Sequence, residues 1–325
     1  PWAAHEWLAE AAMAALFAAG SWSALALMFA ALVATTLLLI GRTLGRHLPP
    51  VGVLVALVLV TAVLAPSSLA RPHVVGWLLL AGWLDLLLRA RETERAPPLA
   101  AALLMLLWAN LHASFLFGLA IAGALGLEML LARPRKAVLR GWVAFGALAF
   151  LFALATPRGI HGMLFPLQLL AMRTLPLITE WQATSFADQP AFAMLIAAGL
   201  SVVAGHRARV PLVRALVVVC TLVLALAHAR HQAMFAIVGP MMLAGPIGRS
   251  MAPGKLGSRS SAMVPAALIA CALLAAIVRL AFPAVEKDSL NNPVAMLDAV
   301  PVALANRPVL NGYGFGGPLI RRGVA

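Results

Sequence analysis

The sequence predicts an all-α fold, a polytopic transmembrane helix bundle of about ten spans with interfacial outer-loop helices and the start of a small extracytoplasmic C-terminal segment. Three observations predict it. Of 325 residues, 63% are apolar and 11% charged, and the mean hydropathy is +0.96; a soluble domain averages about 45–50% apolar and about 25% charged. Apolar runs of about 15–22 residues recur along the chain. Lys and Arg collect in alternate loops between those runs, as they do on the cytoplasmic side of a bilayer. The formal charge of +13 is therefore loop charge, and a nucleic-acid partner is not expected.

Taken in order, residues 5–19, "HEWLAEAAMAALFAA", read as an amphipathic or interfacial helix leading into the first span. The candidate spans are 22–40, 51–66, 74–88, 97–110, 114–131, 142–156, 190–204, 212–228, 232–248 and 262–282. Several are short for a hydrocarbon core of about 30 Å. Short or broken helices are tolerated where neighbouring protein or a wet cavity satisfies the backbone.

The oily stretch 99–131 decides the topology. As one straight helix it would be about 50 Å long at 1.5 Å per residue, more than ordinary tilt absorbs. A turn at Asn110–Ser114 removes the excess. It also puts loops 41–50, 89–96, 132–141, 205–214 and 249–261 on one side, holding 15 of the 24 Lys and Arg. Without the turn the last three loops change sides and the bias disappears. The basic loops are thus expected on the cytoplasmic side of the membrane. Residues 1–20, 65–73, 110–114, 156–189, 228–231 and 283–325 are expected outside.

Within the long outer loop, part of 157–189 reads as a helix lying in the interface, with Phe165, Leu169, Leu170 and Trp181 dipping in. Two domains are expected: residues 1–282 as the membrane domain, and 283–325, the most polar part, as an extracytoplasmic segment cut short. A chain opening on Pro1 and stopping at "RRGVA" reads as a piece of a longer protein. No repeat stands out. Cys220 and Cys271 lie inside apolar runs as small hydrophobes. "NGYGFGG", residues 311–317, lacks the βαβ context of a dinucleotide fingerprint.

The polar residues converge on the outer side. Glu6, Arg71, His73, Asn110, His112, Arg158, His161, Glu180, Asp188, His228, Arg230 and His231 all fall there, with six of the eight histidines. Only His47 and His206 lie in basic loops. The charge rule explains Arg in inner loops but not this mixture of His, Arg, Asn and Glu. Ionisable groups at membrane depth are expensive and point to a site, here a shared outward-facing cavity. Arg71, Arg158 and Arg230 suit a phosphate, whose oxygens a guanidinium matches bidentately. A carboxylate suits a general base, and a histidine a phosphate bond or a proton transfer. Asn110 and His112 share a polar turn that suits a polar head group.

Trp7, Trp108 and Trp181 read as interfacial anchors or sugar-stacking platforms. Asp85 and Glu128 are expected to pair with loop arginines or face water. Glu92 and Glu94 are expected to neutralise Arg89, Arg91 and Arg95. No cofactor is implied. A divalent metal would require Glu6, Glu180 or Asp188 to fold against His228 and His231.

The ordered series "HEWLAE", "RPHVVGWLLL", "WANLHASFLFG", "TPRGIHGMLFPLQLL", "ITEWQATSF", "ARHQAMFAIVGP" and "VLNGYGFGGPLI" resembles bacterial polytopic membrane proteins of the glycosyltransferase C superfamily, including dolichyl-phosphate-mannose protein mannosyltransferase-like enzymes. The resemblance runs over nearly the whole chain. It implies transfer of a sugar from a polyprenyl-phosphate donor to an acceptor on the outer face, with an essential Asp or Glu in the first outer loop. Glu6 is the carboxylate nearest that position, so the expected base is Glu6 or a residue before Pro1. Arg71, Arg158 and Arg230 would then meet the donor phosphate, and Asn110 and His112 the sugar or head group. Two other classes stay open: a transporter or flippase for a lipid-linked or anionic solute, and a non-catalytic membrane scaffold. A transporter predicts polar groups spread through the membrane's depth and inverted repeats.

Overall fold

The computed structural model describes residues 6–170, 172, 175, 178–251, 277, 281 and 294–301, and among these every regular element is helical. The chain divides into two units, Pro1–Leu273 and Leu274–Ala325. In the second, the described structure is the short helix α11, Val294–Asp298. The expected span 262–282 lies almost wholly outside the described residues, as do His5, Cys271 and residues 311–317.

Among the described residues the first unit has ten α-helices. They are α1 (Trp7–Leu44), α2 (Pro50–Leu64), α3 (His73–Glu92), α4 (Leu103–Leu111), α5 (Phe115–Leu131), α6 (Lys136–Leu154), α7 (Ile160–Leu170), α8 (Pro190–Gly205), α9 (Leu212–Ala227) and α10 (Gln232–Ser250). Among the described residues four stretches are long and apolar enough to cross a membrane: Trp7–Leu44, Pro50–Ser67, His73–Glu92 and Lys136–Leu154. Their windows are hydrophobic yet, α3 apart, only about a fifth buried within the protein (17–22%). Val51, Leu54, Val55 and Val58 on α2, and Leu212, Leu216, Val219, Val223 and Leu226 on α9, stand exposed at helical spacing. An apolar exterior on this scale belongs in lipid, not water.

Helix α1 contains a break. Gly20 (φ −155°, ψ 23°) and Ser21 (φ 53°, ψ −150°) leave helical geometry, separating segment 7–19 from the longer run that follows. A separate helical segment ahead of the first span was expected, and the chain breaks there. A Cβ on Gly20 would sit 2.8 Å from the Ala24 Cβ, so the break closes too tightly for a side chain there.

The expected turn after Leu111 is also present. α4 ends at Leu111, His112 is extended (φ −162°, ψ 139°), and α5 starts at Phe115. Two bonds show that α4 and α6 run the same way. Trp142 Nε1 near the start of α6 donates to the Arg95 carbonyl (3.0 Å), and Asn110 Nδ2 at the end of α4 donates to the Ala155 carbonyl just past α6 (3.0 Å). α5 returns between them. Gly118 lets it lie against α4: a Cβ there would be 2.5 Å from the Trp108 ring. The Gly118 carbonyl accepts from Trp83 Nε1 (2.9 Å), which ties in α3.

Helix α10 lies at the centre and packs on α1, α2, α3, α8 and α9. Fourteen of its residues are buried, including Phe235, Ile237, Val238, Met241 and Met242. Leaving α7 aside, successive helices alternate in direction, so their ends form two polar clusters, one rich in histidine and one in arginine.

The arginine-rich end joins α1, α3, α5, α9 and α10. Asp85 bonds Arg46, Arg89 (3.0 Å) and Thr43 (2.8 Å). Glu128 receives a bidentate fork from Arg214 (2.9 and 3.0 Å) and a further bond from Arg91 (3.1 Å). Pairing of Asp85 and Glu128 with arginine was expected. The reading of Glu92 needs correction: it pairs with His47 (2.9 Å) and Arg46 (3.3 Å), not with arginines beside it in sequence. The last turns of α1 and α3 lie against each other, which brings these residues together across the two helices.

Candidate functional site

The histidine-rich end is where the expected site residues fall. The start of α1 brings Glu6 and Trp7. The start of α3 brings His73, preceded by Arg71. The α4–α5 turn brings Asn110, His112 and Ser114, and the 179–189 loop and the α9–α10 link bring Glu180, Trp181, His228, Arg230 and His231. That last loop is stapled to the link: Thr184 N donates to the Leu226 carbonyl (3.0 Å), Ala229 N to the Gln182 carbonyl (3.0 Å), and Gln232 bonds Thr184 (2.8 Å) and Gln189.

Glu6 is the centre of the first group. Its Oε1 lies 3.3 Å from His112 Nε2, with both side chains less than a fifth exposed (19% and 13%). The neighbours of His112 decide where its proton sits. Nδ1 accepts from the Ser114 backbone N–H (3.1 Å) and lies 2.7 Å from Ser114 Oγ. Ser114 Oγ itself accepts from Trp108 Nε1 (3.0 Å), so its hydroxyl proton is directed at Nδ1. Nδ1 is then an acceptor, and the imidazole carries its proton on Nε2, toward Glu6. Gly76 of α3 backs this relay: a Cβ there would be 2.7 Å from Ser114 Oγ and 3.1 Å from His112 Nδ1.

Burial, with the nearby charge of Glu10 adding, pushes the Glu6 carboxyl up to about 7, and the charge of Arg230 only partly opposes this. A carboxyl titrating there is matched to accept a proton at neutral pH.

The second group is aromatic and cationic. The Arg230 guanidinium lies 4.2 Å over the Trp181 ring. Burial lowers its pKa, and the charges of Glu180 and Glu6 counter that. His228 Nδ1 donates to the Trp181 carbonyl (2.7 Å). His231 packs edge-on to Phe117 and His228. Burial, then the charges of Arg230 and His228, bring it down to about 4, so it is neutral at pH 7.

Other expected residues have different situations. Arg71 is half-exposed and paired with Glu180 at 2.5 Å. His73 Nε2 bonds the Ser67 carbonyl (2.8 Å) and stacks edge-on with Trp77. Asn110 is a cross-tie: its Oδ1 accepts from Trp7 Nε1 (2.8 Å), and its Nδ2 donates to Leu106 (2.9 Å) and Ala155. Arg158 and His161 are exposed and are not brought into either group; Arg158 lines a small crevice with Trp7 and Phe165. Asp188 is exposed beside Ser185. Trp108 is not a platform, because it is fully buried. Among the described residues no three His, Cys, Asp or Glu gather as a metal site.

Beside the first group lies an open groove of about 620 Å³, lined by Trp7, Leu8, Leu103, Leu106, Leu107, Asn110 and the 155–157 segment. It meets the polar cluster at Trp7 and Asn110.

No family model, curated protein or solved structure matches this chain.

Sequence reasoning missed the Trp108–Ser114–His112 relay. Its only trace was a serine two residues after a histidine at a helix start, a spacing that serves capping as readily as chemistry. The face-on seating of Arg230 on Trp181 joins residues far apart in sequence and left no local signal.

Proposed function

We propose that the chain is a multi-pass glycosyltransferase of the bacterial inner membrane, with about ten spans and its basic loops in the cytoplasm. It uses a polyprenyl-phosphate-linked sugar on the extracytoplasmic face. The observation that carries this reading is the grouping at one end of the bundle of the Glu6 carboxyl, 3.3 Å from His112 Nε2, and the Arg230 guanidinium, 4.2 Å over the Trp181 ring and close enough for its charge to act on Glu6.

In this reading Glu6 takes the proton of an acceptor hydroxyl as its oxygen attacks the sugar's anomeric carbon. The carbon–oxygen bond to the lipid phosphate breaks, and its electron pair leaves with the phosphate. Arg230 stabilises the negative charge that develops there. His112, with its proton on Nε2, orients Glu6. The leucine-lined groove beside Trp7 suits the apolar tail of such a donor.

Transport finds less support. The polar groups gather at the two ends, and the described core of α10 between them is apolar.

The test is transfer from a polyprenyl-phosphate sugar by the chain in proteoliposomes. Glu6→Gln should lower kcat by at least about a hundredfold, and Arg230→Ala should lower kcat/KM by about a hundredfold. Wild-type rates in both variants would overturn the site.

A further inference from the structure

Two donors converge on one nitrogen of His112. The Ser114 backbone N–H lies 3.1 Å from Nδ1, and the Ser114 hydroxyl oxygen, which accepts from Trp108 Nε1, lies 2.7 Å from it. The two donors differ in what they allow. A hydroxyl can turn and accept instead; a backbone amide only donates. The turn fixes that amide. Phe115 N donates to the His112 carbonyl (3.3 Å), and Phe117 N to the Ser114 carbonyl (3.0 Å) as α5 begins. A second ring proton, placed on Nδ1, would point straight at the amide proton.

The ring has little room to turn away from this contact. Its side chain is 13% exposed. On the α3 side, the position of a Cβ on Gly76 is 2.7 Å from Ser114 Oγ and 3.1 Å from His112 Nδ1.

Glu6 acts in the other direction, because a carboxylate 3.3 Å from Nε2 favours an imidazolium. Two features oppose it. Both side chains are less than a fifth exposed, so an ion pair would give up the hydration of two charges. The charge of Arg230, from the α9–α10 link, already acts on Glu6. Glu10, one turn beyond Glu6, and His73, one turn before Gly76 on α3, are the nearby titratable groups on those elements; α4 carries none.

We propose that Ser114, its hydroxyl directed by Trp108, is a positioning residue that locks His112 neutral, with its single proton on Nε2 facing Glu6. His112 then serves the base as a fixed donor and never as an ion-pair partner or an acid. This role rests on the reading of Glu6 as the base; the lock itself does not.

The lock is tested without substrate. The full chain with isotope-labelled histidine is placed in micelles, and the ring nitrogens are followed by NMR from about pH 5 to about pH 8. His112 is identified by the signals lost in His112→Gln. Its Nδ1 should stay an unprotonated acceptor, and its Nε2 an N–H, across the range. Ser114→Ala keeps the amide and loses the hydroxyl, so protonation of Nδ1 should come about one pH unit nearer neutrality, the worth of one hydrogen bond. Ser114→Pro removes both donors at a φ that proline favours (−65°), and the ring should then titrate within the range. A wild-type ring that takes a second proton in this range, or carries its proton on Nδ1, overturns the lock. So do Ser114→Ala and Ser114→Pro rings that behave as wild type.

Transfer gives a separate reading. His112→Gln offers an N–H near the place of Nε2 and should keep about ten times the kcat/KM of His112→Leu. In Ser114→Ala the rise of rate with pH should move to lower pH, because an imidazolium beside Glu6 favours the carboxylate. Equal rates in the two His112 variants, with an unmoved profile in Ser114→Ala, would overturn the positioning role. Absence of transfer in wild type would count against the reaction alone, and the ring spectra would still decide the lock.

Discussion

Glu6 shows how a side chain that is unremarkable in sequence acquires its chemistry. The carboxylate has an ordinary value near 4.5, and in the fold it reaches about 7. A base must be ionised to act, so the transfer rate should rise with pH through about 7 and level off above it. The sign for stability is opposite. The fold prefers the protonated acid, so the stability this group provides is fully present below about pH 4.5 and is lost as pH rises through about 7. A pH series of kcat/KM and of thermal midpoints on wild type and Glu6→Gln checks both. The variant should lack the rise in rate and the fall in midpoint; identical profiles would show that Glu6 is not the group titrating. Glu6 was legible as a candidate because carboxylates are rare in this chain. Its perturbed state was not, because the groups that meet it in the fold, His112 and Arg230, are distant in sequence.

Among the elements, what length and charge could decide was legible. The oily stretch 99–131 is too long for one span, and the chain turns after Leu111. The segment before residue 20 reads as a separate helix, and the structure breaks there. Helix ends were less legible. Glu94, Arg133 and Arg207 take φ of 51°, 52° and 48°, a conformation usually signalled by Gly. They follow α3, α5 and α8, and after Glu94 and Arg207 the next N–H reaches back to Ala90 and Val203. Ser21 holds a comparable φ of 53° with an extended ψ, which costs a residue with a Cβ about 1–3 kcal/mol. Ser21→Gly should therefore raise stability by about 1 kcal/mol, read as a higher midpoint, with transfer retained. A lower midpoint would mean that the serine side chain contributes more than its backbone strain costs.

For the molecule as a whole, the alternation of helix direction sorts the polar residues into two ends of different character. Composition made the sorting visible, since Arg filled alternate loops and His the others. It did not reveal the partners. Glu92 meets Arg46 and His47 across two helices, and Glu128 meets Arg214 across 86 positions of chain. Local charge patterning reaches only one or two helical turns, so such pairs lie beyond it. The two ends are expected on opposite sides of the bilayer. With Cys220 and Cys271 replaced by Ser, Lys136→Cys and Glu180→Cys should react with a membrane-impermeant thiol reagent from opposite sides of sealed vesicles. Labelling of both from one side would remove the topology and the outward-facing cavity together.

The break at Gly20–Ser21 makes the leading segment of α1 an arm joined to the bundle through two non-helical residues. At its far end the arm is fastened by Trp7 to Asn110 and by Glu6 to His112. The carboxylate is thus mounted on a segment set apart from the long run of α1, whereas the arginines and histidines around it belong to the other helices and their links. Asn110 is bonded at once to that piece and to the carbonyl that follows α6, so one carboxamide sets the distance between base and frame. Alignment of the centre is therefore separable from the integrity of the bundle, and a chain can be correctly folded yet have its base out of place.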